Sequence, residues 1–327
     1  MKTIKQILEK FQKPFILKIE KLEFFGIGNK DVYNISKTFK VEKNEYLFGR
    51  VEPRDNSELS KVFLFKKENQ KWVVDKNFKP IENSEDPFIT KINNELILGC
   101  VEVVKMNKAH EFDLENKLNY RTILYKGANP WKLKKFFKGP WKMKDIRFVE
   151  LPNKKIALFS RPQGGNAGRG KIGFTIINSI EELKHSDLNN ADLLDLFSED
   201  EWGGANEIHL LQNKKLFVLG HIAKRNENNS VSYYPMYFTI DSKTKEYSEI
   251  KILFKREHLP KGKSKNEKLI DVIFPGGFNE NPDGTIDIYI GAGDAEAYRI
   301  KIKNNLDIKT PPPRFELGSL PYSKRLR

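Results

Sequence analysis

Short runs of β-branched and aromatic residues dominate the chain, and Asn, Asp, Gly and Pro separate them. This pattern is typical of strands joined by turns, as in an all-β sandwich, barrel or propeller. Two amphipathic segments, residues 2–11 and 179–197, predict helices at the periphery, and in the second Ser179 and Glu182 have the spacing of a capping box. The sequence therefore predicts an all-β protein with few peripheral helices.

An internal repeat decides among these architectures. Five predicted strands begin with an acidic residue followed by an apolar run: DVYNI at Asp31, DPFIT at Asp86, DIRFV at Asp145, EIHLL at Glu207 and DVIFP at Asp271. Each is followed by a second strand and usually by one or two more, and four strands in roughly 60 residues form a propeller blade. We predict a single five-bladed β-propeller domain over residues 1–327, with blades starting near residues 31, 86, 145, 207 and 271.

The repeated acids have a structural consequence. The first strand of each blade lines the central channel of a propeller, so side chains at these starts would converge in a funnel at one face. Alternatively, each acid is an ordinary turn residue before a strand. Recurrence at blade spacing favours convergence.

Composition narrows the class of protein. Hydrophobic residues make up 39% of the chain and charged residues 31%, and apolar runs such as KLFVLG are far shorter than the ~20 residues of a membrane span. The N-terminal sequence MKTIKQILEKFQKPF has no uninterrupted apolar stretch, which favours a cytoplasmic protein. Cys100 is the one cysteine, so we expect a core thiol, without an internal disulfide or a cysteine-rich zinc site.

The net charge of +14 is spread along the chain. No helix-turn-helix, zinc-finger or ribonucleoprotein pattern focuses it, so we expect no nucleic-acid partner. A dispersed basic excess is typical of a solvated surface that also favours anionic ligands.

Candidate functional residues lie at the ends of the second strands and just beyond, at Arg50, Arg161, His221 and Asp294. Carboxylates grip vicinal hydroxyls, while Arg and His hold an anionic group, so this set suits a sugar and a phosphate. In inverting glycoside chemistry, one protonated carboxyl delivers a proton to the leaving oxygen while a second group activates the nucleophile. Phosphate is already an oxyanion and needs no base, only cations that position it.

Six motifs in order resemble a known family: GRVEPRDNSELSKVFLF, NSEDPFIT, KDIRFVELPNKKIALFSRP, LGHIAK, YYPMYF and DVIFPGGF…IDIYIGAGDAEAY. They are similar to the motifs of the five-bladed mannoside phosphorylases of glycoside hydrolase family 130. They resemble more closely the related glycosyltransferase family 108, the β-1,2-mannan phosphorylases and mannosyltransferases. The resemblance covers roughly residues 31–298.

The resemblance implies that Asp86, in the EDP motif, is the proton donor. Arg50 and Glu52, in the RVE motif, would bind the sugar and help to place phosphate. The other matches imply phosphate contacts from Arg161 (with Pro162), His221 and Tyr234, with Tyr233 as a competitor for the last role, and sugar contacts from Asp145 and Asp294. Asn34, in DVYNIS, is either a sugar ligand or a turn residue.

One segment departs from the family-130 pattern. The stretch that carries a phosphate-binding lysine there is replaced by SEDEWGGANEIHLL, which leaves Lys224, Arg225 or Arg169 as substitutes. Glu207 in this stretch would serve an inverting hydrolase as base. The glycine-rich segment RPQGGNAGRGKIG lacks a P-loop ending and is either a rim loop or a long hairpin connection.

The predicted function is inverting phosphorolysis of β-1,2-linked manno-oligosaccharides, with phosphate as co-substrate and neither cofactor nor metal. The reverse reaction would use mannose 1-phosphate, and the resemblance also implies GDP-mannose as a donor. The alternatives are an inverting β-mannoside hydrolase and a non-catalytic carbohydrate-binding propeller. The sequence leaves the oligomeric state open, because the C-terminal PPPRFELGSLPYSKRLR suits either a subunit contact or a trailing tail.

Overall fold

The structure is a computed structural model that describes residues 2–54, 60–105, 118–306 and 308. These residues form five small sheets arranged as a five-bladed β-propeller, with two short α-helices. The prediction of an all-β, five-bladed propeller with few peripheral helices is therefore confirmed. Residues 309–327, which include the whole C-terminal motif, and residues 55–59 of the RVE motif lie outside the described residues.

Strand β1 (Ile16–Lys21) precedes the blades in sequence. The first blade contains β2 (Phe24–Phe25), β3 (Asp31–Tyr33), β4 (Phe39–Val41), β5 (Asn44–Glu52), β6 (Lys61–Glu68) and β7 (Lys71–Val74). The second contains β8 (Ser84–Ile92), β9 (Glu95–Lys105), β10 (Leu118–Gly127) and β11 (Lys134–Lys138). The third contains β12 (Lys144–Glu150), β13 (Ile156–Arg161), β14 (Gly173–Ile177) and β15 (Asp192–Leu193).

The fourth blade contains β16 (Glu201–Leu210), β17 (Lys215–Arg225), β18 (Val231–Asp241) and β19 (Lys251–Ile252). The fifth contains β20 (Ile273–Glu280), β21 (Thr285–Ala292) and β22 (Glu296–Lys303), and β1 is its fourth strand. Strand β1 pairs antiparallel with β22, with Ile19 opposite Ile300. The last blade is thus assembled from both ends of the described chain, which closes the ring.

The inner strands begin close to the predicted blade starts, except in the fourth blade. There β16 begins at Glu201, six residues before the acid that we took as the start. The assignment of residues 1–327 to a single domain stays a prediction.

The core lies between neighbouring blades. Between the second and third blades, Phe88 and Leu124 pack in one cluster with Phe148 and Leu158. Between the third and fourth, Phe159 lies in one cluster with Phe238. Strands of these blades are buried on both faces, which explains why their sequences read as near-continuous apolar runs.

Helix α1 (Ile4–Glu9) confirms the first predicted helix, and Thr3 and Gln6 form a capping box at its start. The second predicted helix is wrong. Residues 179–197 form a 3-10 turn (Ile180–Glu182), helix α2 (His185–Asn189) and strand β15. The physical reason is that Leu183 and Leu188 pack into the core between the second and third blades, whereas Leu194, Leu196 and Phe197 pack into the next core, and one straight helix could not serve both.

Cys100 is 1% exposed, which confirms the predicted core thiol. Burial raises the pKa of Cys100 to about 12. Within the described residues, no helix is long and apolar enough to cross a membrane.

Candidate active site

The candidate site is built on a defect that recurs in the inner strands. The pairing of each with the next strand slips by one residue, between Glu85 and Phe88 in β8 and between Lys144 and Arg147 in β12. Asp86 and Asp145 lie in these bulges with left-handed φ values of 48° and 55°, and Asn34, just after β3, has φ 44°. Asn and Asp tolerate this conformation better than other side chains. The bulges aim these three polar side chains away from the regular face pattern of the strands.

The second strands bring two arginines and a histidine to the same level of the propeller. Arg50 pairs with Tyr33, Arg161 pairs with Lys144, and His221 pairs with Gly204. Tyr33 directly precedes Asn34 and Lys144 directly precedes Asp145, whereas Gly204 lies two residues before the bulged Asn206. The sequence expectation that Arg50, Arg161 and His221 lie at one end of the propeller agrees with this register.

Asp86 is buried, and its Oδ1 accepts hydrogen bonds from two residues of the first blade. Asn34 Nδ2 donates at 2.8 Å and Arg50 Nη1 donates at 3.3 Å. Asn34 is therefore a partner of Asp86 and more than a turn residue. The amide and the guanidinium fix the carboxyl that the sequence predicts as proton donor.

Glu52 is the fixed counter-ion of Arg50. Its Oε2 accepts from Arg50 Nη2 at 2.8 Å and from Tyr33 Oη at 2.7 Å, and also from Ser60 Oγ, while Lys265 pairs with Oε1. Burial opposes ionisation of Glu52, but Arg50 and the hydrogen bonds from Lys265 and Ser60 lower its pKa to about 2. With these partners on both oxygens, Glu52 orients Arg50 and joins the first blade to the loop that carries Lys265.

A second polar cluster joins the third and fourth blades. Arg161 Nη1 lies 3.3 Å from Asp145 Oδ2 and 3.1 Å from His221 Nε2, and His221 Nδ1 lies 2.8 Å from Asn206 Oδ1. A guanidinium can only donate, so Nε2 accepts and the ring proton is on Nδ1, where it donates to Asn206. Burial lowers the pKa of His221 to about 3, which agrees with a neutral ring. His221 thus orients Arg161.

Asp145 stays ionised in this cluster. Burial alone would raise its pKa, but Arg161, followed by His221 and Arg147, lowers the pKa of Asp145 below its ordinary value. Arg147 lies on the inner strand just past the bulge and donates through Nε to the Asn206 carbonyl at 2.6 Å. Its charge also acts on Asp86, so Arg147 links the two polar clusters electrostatically.

Three buried side chains of the site each keep a polar atom without a hydrogen-bond partner: Asn34 Oδ1, Arg161 Nε and Asn206 Nδ2. Asp145 Oδ2 accepts no hydrogen bond either, but it is ion-paired with Arg161 Nη1. Buried polar groups are normally paired, because an unpaired one costs about 1–3 kcal/mol. Acceptors and donors left open together are what a ligand with hydroxyl groups and an oxyanion would satisfy.

Asp294 joins the first cluster from the turn between β21 and β22. Burial raises its pKa, and the charges of Arg50 and Asp86 act on it in opposite directions. It also has a left-handed φ of 50°. Asp294 therefore lies within electrostatic reach of Arg50 and Asp86.

Three of the five repeated acids lie elsewhere than predicted. Glu207 follows Gly204 by three residues, whereas Asp145 directly follows Lys144, so Glu207 lies two residues deeper along its strand. Asp31 lies three residues before Asn34 and pairs with Arg54 (Nε to Oδ2, 2.8 Å), and Asp271 is exposed. The bulges and unequal strand starts break the register that counting from the acids assumed.

Glu207 is engaged by protein groups on both oxygens. Lys37 and His209 contact Oε1, the latter at 2.6 Å, and the backbone N–H of Phe278 donates to Oε2 at 2.8 Å. Burial alone would raise the pKa of Glu207, but Lys37 and His209 lower it below its ordinary value. Glu207 therefore ties together β16, the segment after β3, and β20.

Tyr233, and not Tyr234, lies beside His221. The two rings stack with centroids 5.5 Å apart, and the Tyr233 hydroxyl accepts from Trp202 Nε1 at 3.0 Å. Tyr234 faces the other side of β18 and packs on the core between the third and fourth blades. Consecutive strand residues point to opposite faces, so the two tyrosines cannot share one role.

Of the three cations considered as substitutes for the family's phosphate-binding lysine, Arg169 is connected to the site through its contacts. Its guanidinium carbon lies 5.4 Å from the Trp202 ring, and Trp202 bonds Tyr233. Lys224 and Arg225 lie three and four residues beyond His221 on β17, opposite Glu201 and Val231.

The glycine-rich segment forms the connection between β13 and β14, beginning at Pro162 directly after Arg161. A Cβ at Gly170 would lie 3.2 Å from Arg161 Nε, and the Gly170 carbonyl accepts from Gly203 N–H. This long hairpin connection therefore packs against Arg161.

Several site residues escaped the sequence analysis, among them Glu85, Lys144 and Asn206. Glu85 accepts from Arg50 Nη2 at 2.9 Å, and the charge of Lys144 acts on Glu85, Asp145 and His221. The available signal was adjacency, because Glu85 and Lys144 directly precede the predicted aspartates and Asn206 precedes Glu207. Among the described residues, no group of three or more His, Cys, Asp and Glu side chains could hold a metal ion.

A family model described as "Protein of unknown function (DUF1861)" matches residues 9–307. The structure of MPT-4, a mannose phosphorylase from Leishmania mexicana in complex with phosphate ion, is 31% identical with a TM-score of 0.82, and the match covers 95% of this chain and 97% of that one. MPT-1, a GDP-Man-dependent mannosyltransferase from the same organism, is 30% identical with a TM-score of 0.82, over 93% and 95% of the two chains.

A more distant solved structure has the same fold. The β-1,2-mannobiose phosphorylase from Listeria innocua is 13% identical with a TM-score of 0.60, over 89% of this chain and 92% of that one. No curated protein matches the chain by sequence.

Proposed function

Since the chain belongs to the DUF1861 family and to the same family as the two Leishmania mannose enzymes, we propose that it is a mannoside phosphorylase that acts on β-1,2-linked manno-oligosaccharides. The observation that carries the proposal is the set of buried polar atoms without a hydrogen-bond partner on Asn34, Arg161 and Asn206, together with the contact between Asn34 and the Asp86 carboxyl. Acceptors suit sugar hydroxyls, and Arg161 suits an oxyanion.

In the proposed reaction, protonated Asp86 gives its proton to the glycosidic oxygen, directly or through a sugar hydroxyl, and that bond to the anomeric carbon breaks. Phosphate held by Arg50 and Arg161 attacks the anomeric carbon from the opposite face and forms α-mannose 1-phosphate with inverted configuration. The proton on the attacking hydrogen phosphate then returns to Asp86, so protons balance.

The other residues support this step. His221 orients Arg161, Tyr233 closes the same side, and Lys144 adds positive charge beside Asp145. Asp145 and Asp294 hold sugar hydroxyls, and Glu52 fixes Arg50. A cofactor is not needed for this chemistry, because phosphate is the co-substrate.

One observation favours a phosphorylase over an inverting hydrolase. The carboxylate that the hydrolase would use as base, Glu207, is paired with Lys37, contacts His209 and accepts a hydrogen bond from a backbone N–H. A general base needs a free lone pair within reach of the attacking water. Phosphate requires no such base.

The reverse reaction extends an oligosaccharide from mannose 1-phosphate. GDP-mannose is the second candidate donor, because MPT-1, at 30% identity, is a GDP-Man-dependent mannosyltransferase. In both cases ionised Asp86 would accept the proton of the acceptor hydroxyl.

The test is turnover of β-1,2-mannobiose by the pure protein with and without phosphate, assayed for mannose 1-phosphate and free mannose. We expect phosphate-dependent mannose 1-phosphate, and a loss of at least ~10²-fold in Asp86→Asn, because general-acid catalysis contributes about that much. Asp31→Asn is the matched control, since Asp31 pairs with Arg54 outside the site, and it should keep wild-type turnover.

Three outcomes contradict the proposal in different ways. Free mannose formed without phosphate would identify a hydrolase. Product formed only from GDP-mannose would identify a transferase. Binding of mannobiose without turnover of either donor would identify a carbohydrate-binding propeller.

A further inference from the structure

The guanidinium of Arg50 faces more carboxylates than it can neutralise. It lies 2.8 Å from Glu52, 2.9 Å from Glu85 and 3.3 Å from Asp86, and its charge acts on Asp294. Lys265 shares Glu52, and Lys144 acts on Glu85. With four carboxylates around one central guanidinium, an incoming oxyanion must compete for Arg50.

The competitors differ in how firmly they are held. Glu52 has protein partners on both oxygens and 3% of its side chain exposed, so it cannot leave without breaking several bonds. Glu85 bonds Arg50 through Oε1, and 20% of its side chain is exposed. Glu85 is therefore the carboxylate that can yield its place on Arg50.

We propose that Glu85 is a positioning residue that competes with the substrate oxyanion for Arg50, so that oxyanion binding is coupled to proton uptake by Glu85. The inference rests on the proposed function, which assigns Arg50 to phosphate. When the oxyanion takes Nη2, Glu85 loses its cation and faces a second negative charge, and a proton from solvent then neutralises it.

The surroundings of Glu85 favour this exchange. Burial raises the pKa of Glu85, and Asp86 and Glu52 act in the same direction, while Arg50 and Lys144 oppose them. Arg50 and Glu52 belong to β5, Asp86 to the same strand as Glu85, and Lys144 to β12. When an oxyanion neutralises Arg50, Lys144 alone opposes the effect of the two neighbouring carboxylates on the pKa of Glu85.

Sulfate is the probe, because it is an oxyanion that does not itself titrate near neutral pH. Sulfate binding is measured by calorimetry at pH 7 in two buffers that differ in ionisation enthalpy, which gives the protons taken up per sulfate. We expect uptake by the wild type, less than half of that uptake in Glu85→Gln, and a sulfate affinity that falls with rising pH in the wild type but changes little in Glu85→Gln.

Glu102→Gln is the matched control. Glu102 lies in the same blade and pairs with Arg121 at 2.7 Å, away from Arg50, so this variant should keep the wild-type uptake. Glu85→Asp is a second variant in case Glu85→Gln does not fold. It keeps the charge but shortens the reach to Arg50, and it should also reduce the uptake.

Sulfate binding with the same proton uptake in the wild type and the Glu85 variants would overturn the inference and leave the proposed function standing. Uptake in the wild type that Glu102→Gln also loses would overturn it as well. No sulfate binding by the wild type or by Glu85→Gln would overturn both, because Arg50 would then hold no oxyanion.

Discussion

The role of a single residue in this site depends on which of its atoms bond to neighbouring residues. The ring of His221 uses one nitrogen for Arg161 and the other for Asn206, and its side chain is 0% exposed. Its function in the proposed mechanism is to orient Arg161. The histidine is predictable from the LGH sequence, but its role depends on both contacts.

Burial of neutral His221 predicts a pH dependence of stability. Its pKa falls from 6.5 to about 3 on folding, so the unfolded chain binds more protons between these values and stability falls as the pH drops through this window. Between pH 7 and pH 5 we expect this residue to remove about 2 kcal/mol from the free energy of unfolding.

Urea unfolding at both pH values checks this expectation. His221→Asn should show a smaller loss between pH 7 and pH 5 than the wild type. The exposed His185 provides the control, and His185→Asn should lose as much as the wild type. Equal losses in all three proteins would contradict the prediction.

At the scale of elements, the inner strand β16 brings its backbone close to the site. A Cβ at Gly204 would lie 2.4 Å from Asp145 Oδ2 and 3.0 Å from His221 Cε1. A Cβ at Gly203 would lie 2.3 Å from the His221 backbone carbonyl oxygen. Gly204 thus leaves room for side chains of the site, whereas Gly203 leaves room for the paired backbone of the sheet.

We therefore expect the adjacent variants Gly203→Ala and Gly204→Ala to differ. In Gly204→Ala the side chains of Asp145 and His221 must move, so phosphorolysis should fall while the melting temperature changes less. In Gly203→Ala a paired backbone must move, so the free energy of unfolding should fall by about 1–3 kcal/mol. Thermal unfolding and turnover of both variants check this, and equal effects on both measurements would contradict it.

The strands also show which parts of the fold and of the site could be predicted from the sequence. The propeller, its second strands, Asp86, Asp145 and Arg50 could be predicted, because apolar runs and turn residues recur at blade spacing. The sequence analysis selected Glu207 and overlooked Asn206, because the apolar pattern does not reveal the one-residue bulge in β16. A slip of one residue turns a side chain to the other face of the sheet. Between the two tyrosines that the sequence left as competitors, the structure places Tyr233 beside His221.

Across the whole molecule, Glu207 connects elements that are far apart in sequence. Lys37 comes from the first blade, His209 from β16, and the Phe278 N–H from the fifth blade. The contacts with Lys37 and Phe278 cross between blades at the inner strands. A residue that we first considered as a catalytic base therefore holds the ring together.

Removing Lys37 should test that role. Lys37→Met leaves a buried carboxylate with one of its cations missing, so we expect a loss of about 3 kcal/mol in the free energy of unfolding. The loss should be smaller at low pH, because the pKa of Glu207 is held below its ordinary value and its stabilising charge disappears as the pH falls through that lowered value. Lys37→Arg keeps the charge and should lose less, and wild-type stability of Lys37→Met in urea would refute the role.

The pairing of β1 with β22 has a consequence for the order in which the molecule forms. During synthesis β1 leaves the ribosome among the first segments, but its partner is made almost 300 residues later. Until β22 is synthesised, β1 has no pairing partner and the fifth sheet cannot be completed. Assembly of the ring therefore depends on a long-range pairing, and we expect slow folding.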